Sequence, residues 1–236
     1  LRVVGGSVEI DWIVDPVIKP TCPNGMISYW TFDENPQTHL GTSGDSFGNH
    51  VGTFYTNDGS INKAVAGKVS SALSFDGADD YVEVPDSDDF YIDQQFSIEF
   101  WINFNDVNAL EGIIGQSEGG GWCLKWGIFL NGPDGGDFKF HMYNPGRVDI
   151  DFNWNPPSNN QWYYVVLTRN GNDWDLWVDG SNIVSRTYTG PISNVADNLN
   201  IGADGENWNH FSGKLDEVAI YNRALTPEEI QEHYNN

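Results

Sequence analysis

Phe96-Ser97-Ile98-Glu99-Phe100-Trp101-Ile102-Asn103-Phe104 decides the fold. Every second residue of it, from Phe96 through Ile98, Phe100 and Ile102 to Phe104, is large and apolar. Side chains of a strand alternate between two faces, so this period of two marks a strand with one face sealed in a core. Similar but shorter runs lie on both sides. Upstream are Ile27 to Phe32, Ala72 to Phe75, and Tyr81 to Val84, the last ended by Pro85. Downstream are Ile113-Ile114, Leu124 to Leu130, Phe138 to Met142, Trp162 to Leu167, Trp174 to Val178, Leu199 to Ile201 and Leu215 to Tyr221. Turn signals separate them. Asp76-Gly77 and Asp179-Gly180 are dipeptides that supply the positive φ angles of tight turns. A long polar loop with Gly41, Gly44, Gly48 and Gly52 follows the first run. One helix is expected, at the carboxyl end. Thr226-Pro227-Glu228-Glu229 pairs an N-cap threonine with proline at the first helical position and glutamate at the third. The spacing thus predicts an all-β, antiparallel two-sheet sandwich with a short C-terminal helix, and 236 residues suit a single such domain.

The first 24 residues differ from the rest. Val8, Ile10, Trp12 and Val14 alternate with Ser7, Glu9, Asp11 and Ile13, and Pro16, Pro20 and Pro23 follow. This reads as an N-terminal β arm on a stiff linker (residues 1–24) ahead of the sandwich (residues 25–236). The apolar face of the arm has to be covered, either by its own domain or by another copy through strand addition, which could build a filament. Val8, Ile10, Trp12 and Val14 are therefore the candidate self-association residues. The chain starts at Leu1 with no initiator Met and no signal-like segment, as a processed or trimmed product would. Cys22 and Cys123 are its two cysteines and are expected to form a disulfide at the base of the arm. Eleven Lys+Arg against 34 Asp+Glu give a formal charge of −23. That excludes an electrostatic grip on nucleic acid and argues against docking on anionic membrane. No apolar run is long enough for a membrane helix. An acidic, Asn- and Gly-rich, Lys-poor composition points to a secreted or cell-surface protein.

The order of these segments resembles the laminin G-like jelly-roll modules of the concanavalin A-like superfamily. The resemblance rests on Tyr29-Trp30-Thr31-Phe32-Asp33-Glu34, Asp45-Ser46-Phe47-Gly48-Asn49 and Ala72 to Gly77 followed by Asp80-Tyr81-Val82. It continues through Phe96 to Trp101, Gln161 to Tyr164, Leu176 to Gly180, and Phe211 to Leu225. It covers residues 25–235. It implies two sheets packed face to face, a calcium ion, and binding or adhesion outside the cell. It also implies that Asp33, Asp45, Asn49, Asp76 and Asp216 gather at one sheet edge as Ca²⁺ ligands. Asp216, just before the last strand, is first among them. Calcium takes six to eight hard oxygens, which Asp and Asn side chains and carbonyls supply.

Catalytic signatures are missing. Glu9-x-Asp11 begins a glucanase-like run of carboxylates, but Val14 fills the third place. The nucleophile elbow, the phosphate loop and the His-Glu-x-x-His zinc motif are absent. Gly67-Lys68 and Gly213-Lys214 lack the Ser or Thr of a magnesium-phosphate site. The reading is of a non-catalytic module for a glycan or a surface protein. Sugars need exposed aromatic rings plus polar side chains, and Trp122, Trp126, Trp154, Trp208 and Arg147 lie in or beside Gly/Asn-rich loops. Trp154, Trp208 and Arg147 are the chosen ligand-binding candidates. Trp30, Trp101, Trp162 and Trp177, on alternating strands, are expected in the core. A structural subunit that polymerises through its arm is the competing function.

Overall fold

The computed structural model describes residues 2–4, 7–9, 24–119, 125–131, 137–143, 146–205 and 208–236. In chain order its strands are β1 (Arg2–Val4), β2 (Ser7–Glu9), β3 (Met26–Trp30), β4 (Thr42–Ser43), β5 (Gly52–Tyr55) and β6 (Ala64–Ala66). They continue as β7 (Ser71–Asp76), β8 (Tyr81–Val84), β9 (Gln95–Phe104), β10 (Glu111–Ser117), β11 (Lys125–Leu130) and β12 (Lys139–Tyr143). The last are β13 (Arg147–Asp151), β14 (Trp162–Asn170), β15 (Asp173–Val178), β16 (Ser181–Thr187), β17 (Leu199–Ile201) and β18 (Ser212–Tyr221), before α1 (Pro227–Asn235).

Two large antiparallel sheets face each other. The front sheet runs β13-β12-β11-β10-β17-β8-β5-β4 and the back sheet β16-β15-β14-β9-β18-β7-β6, with β3 also paired to β18. The expected sandwich is therefore present, and β9 is its spine. Phe96, Ile98, Phe100, Ile102 and Phe104 all point into the layer between the sheets. There they meet Trp30, Phe54, Phe75, Phe140 and Trp174. Phe96 and Phe140 flank the Trp174 ring at centroid distances of 5.4 and 5.0 Å. The Asp179-Gly180 turn joins β15 to β16 with φ of 49° and 75°, the geometry that matches strand twist. The capping box at Thr226 and Glu229 forms as expected.

Three tryptophans lie on the other side of the back sheet. Trp101 is in a second apolar cluster with Tyr164, Val166, Tyr221 and Ile230, and Trp162 and Trp177 pack against it. On β9 Trp101 has the opposite parity to Phe100 and Ile102, so it cannot share their face. Helix α1 covers this outer face and keeps it dry. Glu99 is buried there, and its carboxylate accepts from the Tyr164 hydroxyl (2.5 Å), the Tyr221 hydroxyl (2.6 Å) and His233 Nδ1 (3.0 Å). Trp126, placed by sequence among loop aromatics, is 2% exposed, stacks on Phe140 and donates from Nε1 to Gln116.

In the arm, β1 and β2 pair with each other, with Val3 opposite Val8. Of the strand expected over residues 8–14, Val8 and Glu9 are described, and both lie in β2. Ile10, Trp12, Val14, Cys22, Trp122 and Cys123 lie outside the described residues, so the expected disulfide falls there too.

Gly202 shows how tightly the layers meet. Its φ is +85°, and a Cβ there would overlap the Phe75 ring. Gly202→Ala is expected to cost about 2–4 kcal/mol from left-handed strain plus overpacking. Chemical denaturation measures it, and a loss below about 0.5 kcal/mol, the surface-substitution range, would contradict this packing.

Candidate functional site

The outward face of the front sheet carries a pocket. On β5 the core takes Phe54 and leaves Tyr55 outside; on β8 the core takes Val82 and leaves Tyr81 outside. Pairing sets Tyr55 directly opposite Tyr81, and the two rings stack at 5.0 Å and 13°. His39 meets Tyr55 edge-on at 5.9 Å, and His210 lies 6.2 Å from Tyr81. The result is a row of four rings beside a cavity of about 200 Å³, whose lining is completed by Thr56, Asn57 and Asp79. Asp79 is held in place by the Asn57 amide (2.8 Å) and side-chain nitrogen (2.9 Å). Thr56 N–H donates to His39 Nδ1 (3.2 Å), which fixes that ring. Trp208, 77% exposed, sits two residues before His210.

The other ligand-binding candidates are elsewhere. Arg147 lies on the edge strand β13 and bonds Asp149 through Nε (2.9 Å) and a terminal nitrogen (2.8 Å). Five strand steps separate β13 from β8, roughly 24 Å. Trp154 is half-buried, with its ring edge-on to Phe138 (5.6 Å) and Tyr163 (5.8 Å). It closes the core rather than offering a face to a ligand.

The structure divides the five candidate calcium ligands among three places. Asp216 and Asp33 share one. Asp216 Oδ2 accepts from the Lys68 (2.7 Å) and Val69 (3.0 Å) amides, and Asp33 Oδ1 from the Ser71 amide (2.9 Å). Asp216 is fully buried, and its Oδ1 has no partner. Burial, reinforced by the Asp33 charge, pushes the Asp216 carboxyl up to about 6. Glu34, next to Asp33, spends Oε1 on the Gly44 amide (2.6 Å) and leaves Oε2 buried and unpartnered. Gly67 closes against this turn, where a Cβ would stand 2.5 Å from Asp216 Oδ2 and 2.6 Å from the Ser71 carbonyl. The unpaired Asp216 Oδ1, with Asp33 nearby and a turn that admits no side chain at Gly67, is a hard oxygen of the kind Ca²⁺ takes, although Asp33, Glu34 and Asp216 do not bring three carboxylate oxygens within 4.8 Å of one another.

Asp45 does other work. Its Oδ1 accepts from the Tyr29, Phe47 and Gly48 amides and its Oδ2 from the His50 amide. It thereby caps the free edge of β3. Asn49 is exposed on the same loop. Asp76 belongs to a third place, an ion-pair cluster with Lys63 and Asp80 beneath the tyrosine pocket.

Glu111, at the start of β10, is 1% exposed. Its Oε1 accepts from the Ser212 amide (3.3 Å) and its Oε2 has no partner. Burial, with Asp106 adding to it, pushes this carboxyl up to about 8, against 4.5 for an ordinary glutamate. Between those values the folded chain holds a proton that the unfolded chain has lost. Stability therefore falls as pH rises across the window, by at most about 1.4 kcal/mol per pH unit. Glu111→Gln should flatten that slope and stabilise the protein at its alkaline end. Urea melts of both proteins at the two ends of the window measure this, and equal slopes would refute it.

With the geometry established, comparison with known proteins places the chain. The model of the concanavalin A-like lectin/glucanases superfamily matches residues 76–231, and the chain belongs to that superfamily. No curated protein matches it. Among solved structures it is similar to domain 4 of AbnA, a GH43 extracellular arabinanase from Geobacillus stearothermophilus, in complex with arabinotriose. Identity is 20%, the TM-score 0.68, and coverage 88% of this chain and 97% of that one. It is also similar to the binding domain of Paraclostridial Mosquitocidal Protein 1, with 19% identity, a TM-score of 0.65, and coverage of 89% and 52%. A third relative is Trypanosoma rangeli sialidase, with 17% identity, a TM-score of 0.58, and coverage of 91% and 33%. The chain thus spans a third of the sialidase and about half of the mosquitocidal protein's binding domain. At such identities these likenesses establish the shared jelly-roll fold. Among the described residues no helix is long and apolar enough to cross a membrane.

Proposed function

We propose that this chain is a non-catalytic module that binds uncharged glycans in the Tyr55–Tyr81 pocket, outside the cell, with a calcium ion at Asp216 stabilising the fold. The row of four rings at the rim of an open cavity carries the reading. A sugar presents apolar C–H edges and many hydroxyls. Aromatic rings cover the first, while phenol, imidazole, amide and carboxylate groups bond the second.

Charge selects among sugars. Asp58, Asp76, Asp79 and Asp80 stand in or behind the pocket against the single ammonium of Lys63. A uronic or sialic acid would bring a further negative charge to this place, at a Coulomb cost. The similar arabinanase domain was solved with arabinotriose, itself uncharged, which makes arabino-oligosaccharides the first probes. Calcium at Asp216 would bind through Asp216 and Asp33, and would hold the Gly67–Ser71 turn to the start of the last strand.

The test is titration calorimetry of the full chain against neutral arabino-, gluco- and galacto-oligosaccharides and against sialylated and uronic-acid counterparts. Binding confined to neutral members supports the reading. Binding confined to acidic members, or to none, overturns it.

A further inference from the structure

The wall of the pocket rests on a buried cation. Lys63 Nζ lies 2.6 Å from Asp58 Oδ2, 2.7 Å from Asp80 Oδ2 and 3.3 Å from Asp76 Oδ2, with only 9% of its side chain exposed. Each of these aspartates is also tied, through its main chain or its carboxylate, to a segment that lines the pocket. Asp58 N–H donates to Thr56 Oγ1 (3.0 Å), on the stretch that carries Asn57. Asp80 is fully buried, its Oδ2 also accepts from the Asp76 amide (3.0 Å), and its carbonyl faces His210 Nδ1 (3.4 Å). Asp76 Oδ1 accepts from the Ala78 amide (2.8 Å), which closes the turn that presents Asp79 and Tyr81. Lys63 thus ties together Asp58, Asp76 and Asp80, the residues next to the segments that carry Thr56, Asn57, Asp79 and Tyr81.

Three carboxylates stand close together here, and Asp80, whose Oδ1 is buried without a partner, is pushed up by burial. Asp76, Asp79 and Asp80 bring oxygens within 4.8 Å of one another. A lysine from β6's approach places its ammonium beside Asp76 and Asp80. Burial alone would favour a neutral amine, but the bonds to Asp58 and Asp80 outweigh it and hold Lys63 charged. Asp76 is likewise kept low despite burial by the Ala78 amide and Lys63.

We propose that Lys63 is a positioning residue, an internal cation that organises the glycan pocket and makes its ligand binding independent of calcium. The glycan part of this rests on the function proposed above; the role of Lys63 in holding the pocket does not. Calcium at Asp216 then serves stability alone, and chelation leaves the pocket formed.

Three measurements on the full chain test this. In wild type, calcium titrated into chelated protein should leave the ring resonances of Tyr55, Tyr81, His39 and His210 in place; movement of those rings overturns the proposal. Lys63→Met should lower affinity for a neutral oligosaccharide by about tenfold or more, and millimolar calcium should restore it. A merely structural role would not be rescued by a metal. Native mass spectrometry should find one more calcium ion on Lys63→Met than on wild type. Affinity unchanged in Lys63→Met, or an equal ion count, overturns the proposal. Should Lys63→Met fail to fold, the wild-type resonances decide. Should wild type bind no neutral glycan, the function proposed above falls, and the ring resonances and ion count still decide the role of Lys63.

Discussion

Millimolar calcium is expected to raise the melting temperature of the chelated full chain by roughly 5–11 °C. A ligand at about 100 times its dissociation constant that binds only the folded state adds about 2.7 kcal/mol, and for a chain of this size each kcal/mol moves the midpoint by about 2–4 °C. The cause is the buried Asp216 carboxylate, which has one unpaired oxygen and the Asp33 charge nearby. Without a cation that arrangement repels itself, and with one the repulsion becomes attraction. Asp216→Asn keeps an acceptor for the Lys68 and Val69 amides but removes the charge, so its melting temperature should no longer respond to calcium. Asp45→Asn should keep the response, because the Asp45 carboxylate is taken up by the Tyr29 amide of β3 and by the Phe47, Gly48 and His50 amides of its own loop. Identical melting of wild type with and without calcium, or an undiminished response in Asp216→Asn, would contradict the assignment.

The second large effect is on affinity. Tyr81→Ala removes the centre of the ring row, and such a central aromatic truncation costs about 2 kcal/mol of binding, roughly thirtyfold. Tyr55→Ala should behave similarly. Both tyrosines face outward from the sheet, so the variants should stay folded, at a cost that includes about 0.5–1.5 kcal/mol for the lost ring pair. Arg147→Ala, on the opposite edge of the same sheet, is expected to leave affinity unchanged. Calorimetry on the three variants decides; loss of binding in Arg147→Ala with retention in Tyr81→Ala would move the site to β13.

The strands that line the core were legible because burial on one face imposes a period of two. Phe96 to Phe104, Trp174 to Val178 and Leu215 to Tyr221 all appear where their alternation places them. Asp179-Gly180 and Thr226 to Glu229 were legible because turn and cap chemistry is local. The strands β4, β5, β6, β13 and β16 were not read. β4, β6, β13 and β16 are short or polar and sit at or near sheet edges, so one apolar face is not required of them. The long glycine-rich loop hid β4 and β5, and with them Tyr55. Trp101, Trp162 and Trp177 were expected in the central core because nothing local announces that α1 seals the outer face of the back sheet.

The site was harder to read than the fold. His39, Tyr55, Tyr81 and His210 come from four separate segments, and only the register that sets Tyr55 opposite Tyr81 brings them together. One signal was available: with Val82 and Val84 in the core, Tyr81 has to face outward. For the acidic residues, residue type alone could not separate roles. Asp45, Asp76 and Asp216 are all aspartates near turns, yet one caps a strand edge, one pairs with Lys63, and one keeps an unpaired buried oxygen.

The most direct test of the account is a nuclear magnetic resonance titration of the full chain with a neutral arabino-oligosaccharide, following the histidine and aromatic rings. Saturable shifts are expected at His39, Tyr55, Tyr81 and His210, with the resonances of His141 and Arg147, on the far strands of the front sheet, unmoved. Shifts centred on His141 and Arg147, with the tyrosine pocket silent, would contradict the account.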